Sequence, residues 1–357
     1  MRERGVKRTE ILKTLREDIL SGRYSVGCAF PSEVALSRRF GVSRTTMAFV
    51  MHELEALGLV SRHRGAGTFV TKQGASRKIG LVVPGVAYSE FYPPFLSEMN
   101  RLANENGYTL LLGEVYSKDP RARVKQVQSL AKRFIAEGAT GIVYQPFEFL
   151  SNSDRINRNI LATFSACKIP VVLVAADIVP SPDRSEYDVV GINDFEAGRR
   201  LAFHLRDVGV RRVAFLLNAY SNYSVQNRLI GVRSVFGSSR ELTELYFDPT
   251  DETSVRRLFR GKAHPEAIIC RSDATASRLL VSLRKIGKRV PGDILLAGFN
   301  DINYASMLEL TSVRVPSADI ANLAFGQLLD RMAHPDSVPR SQMLPAPLTI
   351  RRSTRRV

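Results

Sequence analysis

Between Pro31 and Val70 the apolar positions change rhythm twice. Ser32 precedes a helical run to Phe40, where its hydroxyl can meet free N–H groups of the first turn, Glu33 suits the positive helix end and Gly41 closes the run. Val42 is expected to bury at the turn. Ser43 then caps a second helix, in which Met47, Val50, Met51, Leu54 and Leu57 recur every three or four residues as one apolar face that ends at Gly58. Leu59 to His63 and Thr68 to Thr71 read as short strands around Arg64, Gly65, Ala66 and Gly67, a basic hairpin whose glycines permit close backbone approach to another molecule. Two helices joined by so short a Gly-bearing turn predict a helix-turn-helix. Its second helix offers Ser43, Arg44, Thr45 and Thr46 to a major groove, and the hairpin is a wing.

Residues 72–78 carry small, polar and basic side chains with no apolar period, which predicts a linker. From Ile79 the rhythm alternates: IGLVVP, a helix over Phe95–Asn106, YTLLLGEV, a helix over Val124–Glu137, GIVYQP, a helix over Ile156–Cys167, then PVVLVAA. A second series runs from YDVVGIND through RRVAFLLN, a strand near Leu245, EAIICRSD and DILLAGFND, with helices between. Such βα alternation predicts parallel sheets covered on both faces, with ligands at the carboxyl ends of the strands. Two series predict two lobes and a cleft.

The first stretch resembles the winged-helix domain of GntR-type bacterial regulators, through YSVG, PSE, FGVSRTT, LEALGLV and GAGTFV, with Ile11 to Tyr24 as its first helix and turn. The resemblance covers residues 1–71 and implies that Arg44, Thr45, Thr46 and the wing touch operator DNA. The candidate DNA contacts are Ser32, Ser43, Arg44, Thr45, Thr46, His63, Arg64, Gly65 and Gly67. Ala48 and Val34 stand where relatives often carry a basic residue, so the resemblance carries no contact over to them. Residues 79–357 resemble the sensor domain of LacI-type repressors, a periplasmic-binding-protein-like α/β fold, through VVGIND, NRLIGVR, ICRSD, LLAGFND, LTSVRVPS and LTIRRSTRR. A GntR-type head on such a sensor is similar to the arabinose-repressor branch.

That resemblance places Arg228 on the arginine that grips ligand hydroxyls, Ser272 and Asp273 on the pair after a sheet strand, and Asn300 on the acid or amide of GF(N/D)D. A guanidinium fork donates while carboxylate and amide oxygens accept, which is the chemistry a polyhydroxyl ligand needs. Tyr88, Phe91 and Tyr92 follow the first strand and could stack on a sugar, although Phe91 and Phe95 read equally as core. Gln145 ends the third strand at a usual polar cleft position. Ala175 stands where an aspartate is usual, with Asp177 two residues on. Arg228 could instead form an interlobe salt bridge, and Asp301 reads as a helix cap. Lobe crossings are expected near Val179–Glu186, Phe299–Ser312 and Ala333–Met343.

Composition narrows the classes. The chain has 357 residues and a formal charge of +16, and its first 78 residues hold fifteen Lys/Arg against seven Asp/Glu, so half the excess lies in the head. Charge of that kind suits a polyphosphate partner. Cys28, Cys167 and Cys270 have no ligand or disulfide spacing and read as reduced, buried thiols, and the arginines from Arg351 to Arg356 read as a solvated surface. No Walker loop, HExxH or GxSxG motif is present, which argues against an enzyme and against a cofactor. The charged start MRERGVKR, lacking an apolar leader, argues against an exported transport protein and for the cytoplasm. The expectation is a DNA-binding regulator, a homodimer on double-stranded operator DNA, controlled by a sugar-like effector. An enzyme or binding protein acting on a sugar or nucleoside, with DNA binding secondary, is the alternative.

Overall fold

A computed structural model describes residues 2–20, 23–63, 66–71, 77–84, 91–115, 119–147, 152–218, 221, 223–237, 240–260 and 264–356. They form two compact units, Met1–Arg77 and Lys78–Val357.

The first unit contains α1 (Arg2–Leu20), β1 (Ala29–Phe30), α2 (Glu33–Phe40), α3 (Arg44–Ala56), β2 (Val60–His63) and β3 (Gly67–Val70). Its strands pair antiparallel in the order β1-β3-β2. Ile11, Leu15 and Ile19 of α1 close over Leu36 and the face of α3 made by Met47, Val50, Met51 and Leu54. Leu57 does not belong to that face: it is the C-cap of α3 and is 38% exposed, because Gly58, at φ +68°, turns the chain immediately after it. Gly41, at φ +63°, ends α2 in the left-handed conformation that glycine adopts without a Cβ penalty. Asp18 ties α1 to this turn region by accepting from Arg23 at 2.8 Å and from Arg39 at 3.2 Å, and Arg39 also reaches the Tyr24 hydroxyl.

The second unit follows as β4 (Arg77–Pro84), α4 (Tyr92–Glu105), β5 (Tyr108–Val115), α5 (Pro120–Ala136), β6 (Ala139–Tyr144), α6 (Ser153–Ala166), β7 (Val171–Val174), β8 (Asp188–Ile192), α7 (Asp194–Asp207), β9 (Val213–Leu216) and α8 (Tyr223–Arg233). Then come β10 (Leu242–Leu245), α9 (Glu252–Arg257), β11 (Ala267–Cys270), α10 (Asp273–Lys285), β12 (Leu295–Asn300), α11 (Asn303–Met307), β13 (Thr311–Arg314), α12 (Ser317–Ala333), β14 (Ser341–Leu344) and β15 (Leu348–Thr349). One sheet has the order β14-β8-β7-β6-β4-β5 and the other β10-β9-β11-β12-β13-β15. In the second, only the β13–β15 pair is antiparallel.

Strand residues alternate between two buried faces. Leu81 and Val83 of β4 pack with α4 and α12, whereas Val82 belongs to the core containing Phe134 of α5 and Phe164 of α6. That is why these strands are apolar without interruption.

YDVVGIND does not open the second lobe. Its strand β8 pairs with β7 and β14 in the first sheet, and the chain changes lobe only at Ile192–Asp194. The other changes fall between β13 and α12 and between β14 and β15, so each expected crossing lies one element too early. Val179–Glu186 and Ala333–Met343 are connections inside the first lobe, and Phe299–Ser312 joins β12 to β13 inside the second.

Two glycines bring α7 and α8 into backbone contact. A Cβ on Gly198 would sit 2.0 Å from the Arg228 carbonyl oxygen, and one on Gly231 would sit 2.0 Å from that of Phe195. Neither obstacle is a side chain that can swing away. Gly198→Ala is therefore expected to destabilise the sensor unit by about 1–3 kcal/mol through overpacking, read as a lower urea midpoint; an unchanged midpoint would contradict the close approach.

Candidate functional site

In the first unit the exposed N-terminus of α3 is set by its caps. Ser43 Oγ accepts the Thr46 N–H at 3.2 Å and lies 2.9 Å from Thr46 Oγ1, while Ser32 Oγ accepts the Ala35 N–H at 3.3 Å. Both candidate serines are thus engaged as caps. Arg44 and Thr45 are exposed, and the Arg44 guanidinium makes no hydrogen bond or ion pair among the described residues. Its freedom contrasts with Arg62, which sequence reasoning passed over: it meets Glu33 at 2.9 Å and Glu55 at 3.5 Å and so fastens β2 to α2 and α3. The pattern gave no local sign of this, since Glu33 and Arg62 are far apart in the chain. His63 packs edge-on against Phe69 at 5.6 Å, with Nε2 3.1 Å from Ser61 Oγ. Gly67 takes φ +106°, which only glycine tolerates easily, whereas Arg64 and Gly65 lie outside the described residues.

In the second unit the candidates fall into two clusters, each at the carboxyl ends of one lobe's strands. In the first lobe, Gln145 follows β6 and its Oε1 accepts from the buried Tyr92 hydroxyl at 3.0 Å. Phe91 packs against both Tyr92 and Phe95, with ring centroids 5.4 Å apart in each pair, and joins the apolar core from a partly exposed position. Tyr88 lies outside the described residues. Ala175 follows β7 at φ +70°, and Asp177 is occupied locally, accepting the N–H groups of Ile178 at 2.6 Å and Ser185 at 3.1 Å.

The second lobe's cluster centres on Arg228, which is only 8% exposed. Its Nε donates to Asp194 Oδ1 at 2.7 Å, Nη1 donates to the Arg271 carbonyl at 3.1 Å, and the guanidinium lies 4.6 Å from the Phe299 ring centroid. Asp194 opens α7, which packs on the α8 that carries Arg228, so this ion pair lies within the second lobe and is not the interlobe bridge read as the alternative. Nη2 has no partner among the described residues. Burial pushes the Asp194 carboxyl up to about 6 even though Arg228 opposes the shift. Ser272 is engaged as the cap of α10, its Oγ accepting the Thr275 N–H at 3.3 Å. Asn300 ends β12 at φ +106°, a strained conformation, and its side-chain amide makes no hydrogen bond among the described residues.

Asp273 takes a structural part instead of facing the cleft. It is fully buried, with Oδ1 accepting from Ser312 Oγ at 2.7 Å and Oδ2 from the Ile302 N–H at 3.2 Å. A Cβ on Gly298 would lie 2.2 Å from Oδ1, so the absence of one there lets the carboxyl fit. Burial pushes this carboxyl up to about 7. In the unfolded chain it ionises near 4, so its contribution to stability is full below that pH and is lost as pH rises through 7. Asp273→Asn is expected to flatten the profile of melting temperature against pH between about pH 4 and 7, leaving the contribution of Asp194, which ends near pH 6. Parallel profiles for variant and wild type in circular dichroism would contradict this.

Asp301 caps no helix. Its oxygens accept from Arg351 at 2.6 Å and Thr349 Oγ1 at 2.9 Å, and α11 begins without a side-chain cap. Arg351 is correspondingly not a solvated tail residue, because it is fixed to Asp301 and to the Leu310 carbonyl. Cys28 and Cys167 are exposed and only Cys270 is buried. Among the described residues no group of three His, Cys, Asp or Glu could hold a metal ion, and no helix is long and apolar enough to cross a membrane.

A cavity of about 460 Å³ opens between the lobes, lined by Asp154 and Asn157 of the first and by Asn218, Tyr223, Gln226 and Arg233 of the second. The Tyr223 hydroxyl donates to Asp154 Oδ2 at 2.7 Å across it. That volume suits a small molecule.

Residues 7–70 match the gntR family of bacterial regulatory proteins, and residues 202–354 match the periplasmic binding protein-like domain. The arabinose metabolism transcriptional repressor of Geobacillus stearothermophilus is 26% identical over 95% of each chain. The HTH-type transcriptional repressor PurR of Mannheimia succiniciproducens is 23% identical over 90% of this chain and 98% of its own. A LacI family transcriptional regulator from Enterococcus faecalis V583, solved with bound ribose, shares the fold with a TM-score of 0.66 at 21% identity, over 77% of this chain and 98% of its own.

Proposed function

Because the chain is a GntR-type transcriptional regulator with a periplasmic-binding-protein-like sensor domain, we propose that it represses genes of carbohydrate use and that a sugar bound between its lobes sets its operator affinity. The observation that carries this is the extent of the likeness to the arabinose repressor, which runs through the reading head and the sensor alike. The unengaged donors and acceptors of Arg228 and Asn300 support a hydroxylated ligand, since groups of this kind are left unpaired when a hydroxyl is missing. The ribose in the Enterococcus structure points to the same class. The purine repressor's name supplies the rival one.

The test is a thermal-shift screen of pentoses, hexoses, their phosphates and free purine bases against the full chain. A ligand that binds only the native state stabilises by about 2.7 kcal/mol at a hundredfold excess over its dissociation constant. A shift with purines and none with any sugar would overturn the carbohydrate reading.

On the DNA side the reading is a homodimer on a near-palindromic operator, since one small head offers too few base contacts for a unique address. Affinity falls steeply with salt as phosphates regain their counterions. Arg44→Ala is expected to weaken operator binding by about 1–3 kcal/mol, with discrimination lost at one base pair if the guanidinium grips a guanine. Loss spread uniformly over sequences would assign Arg44 to a phosphate. Unchanged affinity in a folded variant would remove it from the interface.

A further inference from the structure

The recognition helix carries a large apolar side chain on the face opposite its core. Met47, Val50, Met51 and Leu54 of α3 are buried, and at 100° per residue the positions most nearly opposite them are Thr45, Phe49, His52 and Ala56. Thr45, His52 and Ala56 are exposed, as is Phe49 at 55%. Phe49 therefore follows Thr45 by one helical turn on the outward face. One side of its ring is held by the Arg8 guanidinium, 5.7 Å from the centroid, and Arg8 in turn meets Glu53 at 3.8 Å. Leaving a phenylalanine in water forfeits stabilisation that a core position would give, and among the described residues Phe49 takes no part in the apolar core of the head.

We propose that Phe49 reads a thymine methyl group in the major groove, one helical turn along α3 from Thr45, and so determines operator specificity at that base pair. The inference rests on the DNA-binding reading above and adds to it a contact that is apolar instead of charged. The groove's other distinguishing groups are hydrogen-bond donors and acceptors, which a phenyl ring cannot satisfy. The C5-methyl of thymine is the one feature an apolar side chain can recognise. Ala48 beside it is half-buried where Phe49 is exposed, and the basic side chain that would compete for the same region is absent from that position.

The experiment starts from a duplex operator enriched from a random-sequence library by the full-length protein. Each thymine is then replaced singly by uracil, which removes only the methyl group. The expected result is one position per half-site at which uracil weakens wild-type binding about fourfold, the worth of one buried methyl, while Phe49→Ala binds the thymine and uracil duplexes alike. Phe49→Leu, which keeps an apolar side chain, should retain part of the sensitivity. Melting temperatures and sedimentation of each variant accompany the titrations. If uracil weakens wild type and Phe49→Ala equally at every position, or weakens neither, this inference is wrong while the operator-binding reading stands. If Phe49→Ala changes the protein's association state and leaves uracil sensitivity intact, the side chain serves a protein contact and the inference is equally overturned. If no sequence is enriched, the DNA-binding reading fails and takes this inference with it.

Discussion

Arg331→Met is expected to cost the sensor unit about 3–5 kcal/mol, the usual consequence of leaving one member of a buried ion pair without its partner. Asp188, at the start of β8, is buried, and the Arg331 guanidinium grips it with both arms, Nε to Oδ2 at 2.7 Å and Nη2 to Oδ1 at 3.0 Å. The Arg340 N–H adds a third bond, at 2.7 Å, and Arg331 also donates to the carbonyls of Pro335, Ser337 and Val338. One side chain of α12 thus holds β8 and the connection that leads from α12 to β14. The chain contains no tryptophan, so unfolding is best followed by far-ultraviolet circular dichroism in urea. Arg331→Met combined with Asp188→Asn should recover part of the loss, because the residual charge is then gone. Additive losses in the two single variants and their combination would show that the pair is not coupled.

The second large effect is on effector binding. Arg228→Ala is expected to weaken it by about 2–5 kcal/mol, the range for truncating a buried, hydrogen-bonded charged group at a contact. The geometry adds a complication, because Arg228 also pairs with Asp194 at the lobe crossing. Removing the guanidinium therefore disturbs α7 as well as the cleft. Asp194→Asn separates the two roles: it keeps an oxygen for Nε but removes the charge, so it should leave effector affinity nearly intact. Arg228→Lys keeps charge without the fork and should behave like the alanine variant toward the ligand. Calorimetric titration of the sugar found by thermal shift measures all three, and equal affinity in wild type and Arg228→Ala would remove Arg228 from the site.

How legible these features were depended on the distance between cause and consequence along the chain. Ser32, Gly41, Ser43 and Gly58 act on neighbours within four residues, and the helices they delimit form within a residue or two of the expected bounds. Apolar runs marked the central strands of the two sheets, such as β6, β7, β9 and β11, as buried on both faces. They said nothing about which sheet a strand joins. DVVGI pairs with VVLV, the strand before it in the same lobe, and with SQML some 150 residues later, which no local pattern encodes. The same limit hid the partners of Asp273, Asp301 and Arg351. Each is satisfied by residues 29 to 50 positions away, so a carboxylate that resembled a ligand group became a buried brace and a charged tail became part of the lobe. Arg228 was legible as a functional residue from NRLIG, but its pairing with Asp194 required the fold.

The central claim is that occupancy of the sensor cleft changes how tightly the head holds DNA. A ligand can do this only through a preference for one arrangement of the protein over another, and typical couplings are about 1–3 kcal/mol. The direct measurement is titration of the enriched operator with the full chain at fixed salt, in the absence of the sugar and at a saturating concentration of it. The account predicts a shift in operator affinity of about 5- to 150-fold, which Arg228→Ala abolishes without altering the affinity measured in the absence of sugar. Superimposable operator titrations with the cleft empty and saturated would contradict it.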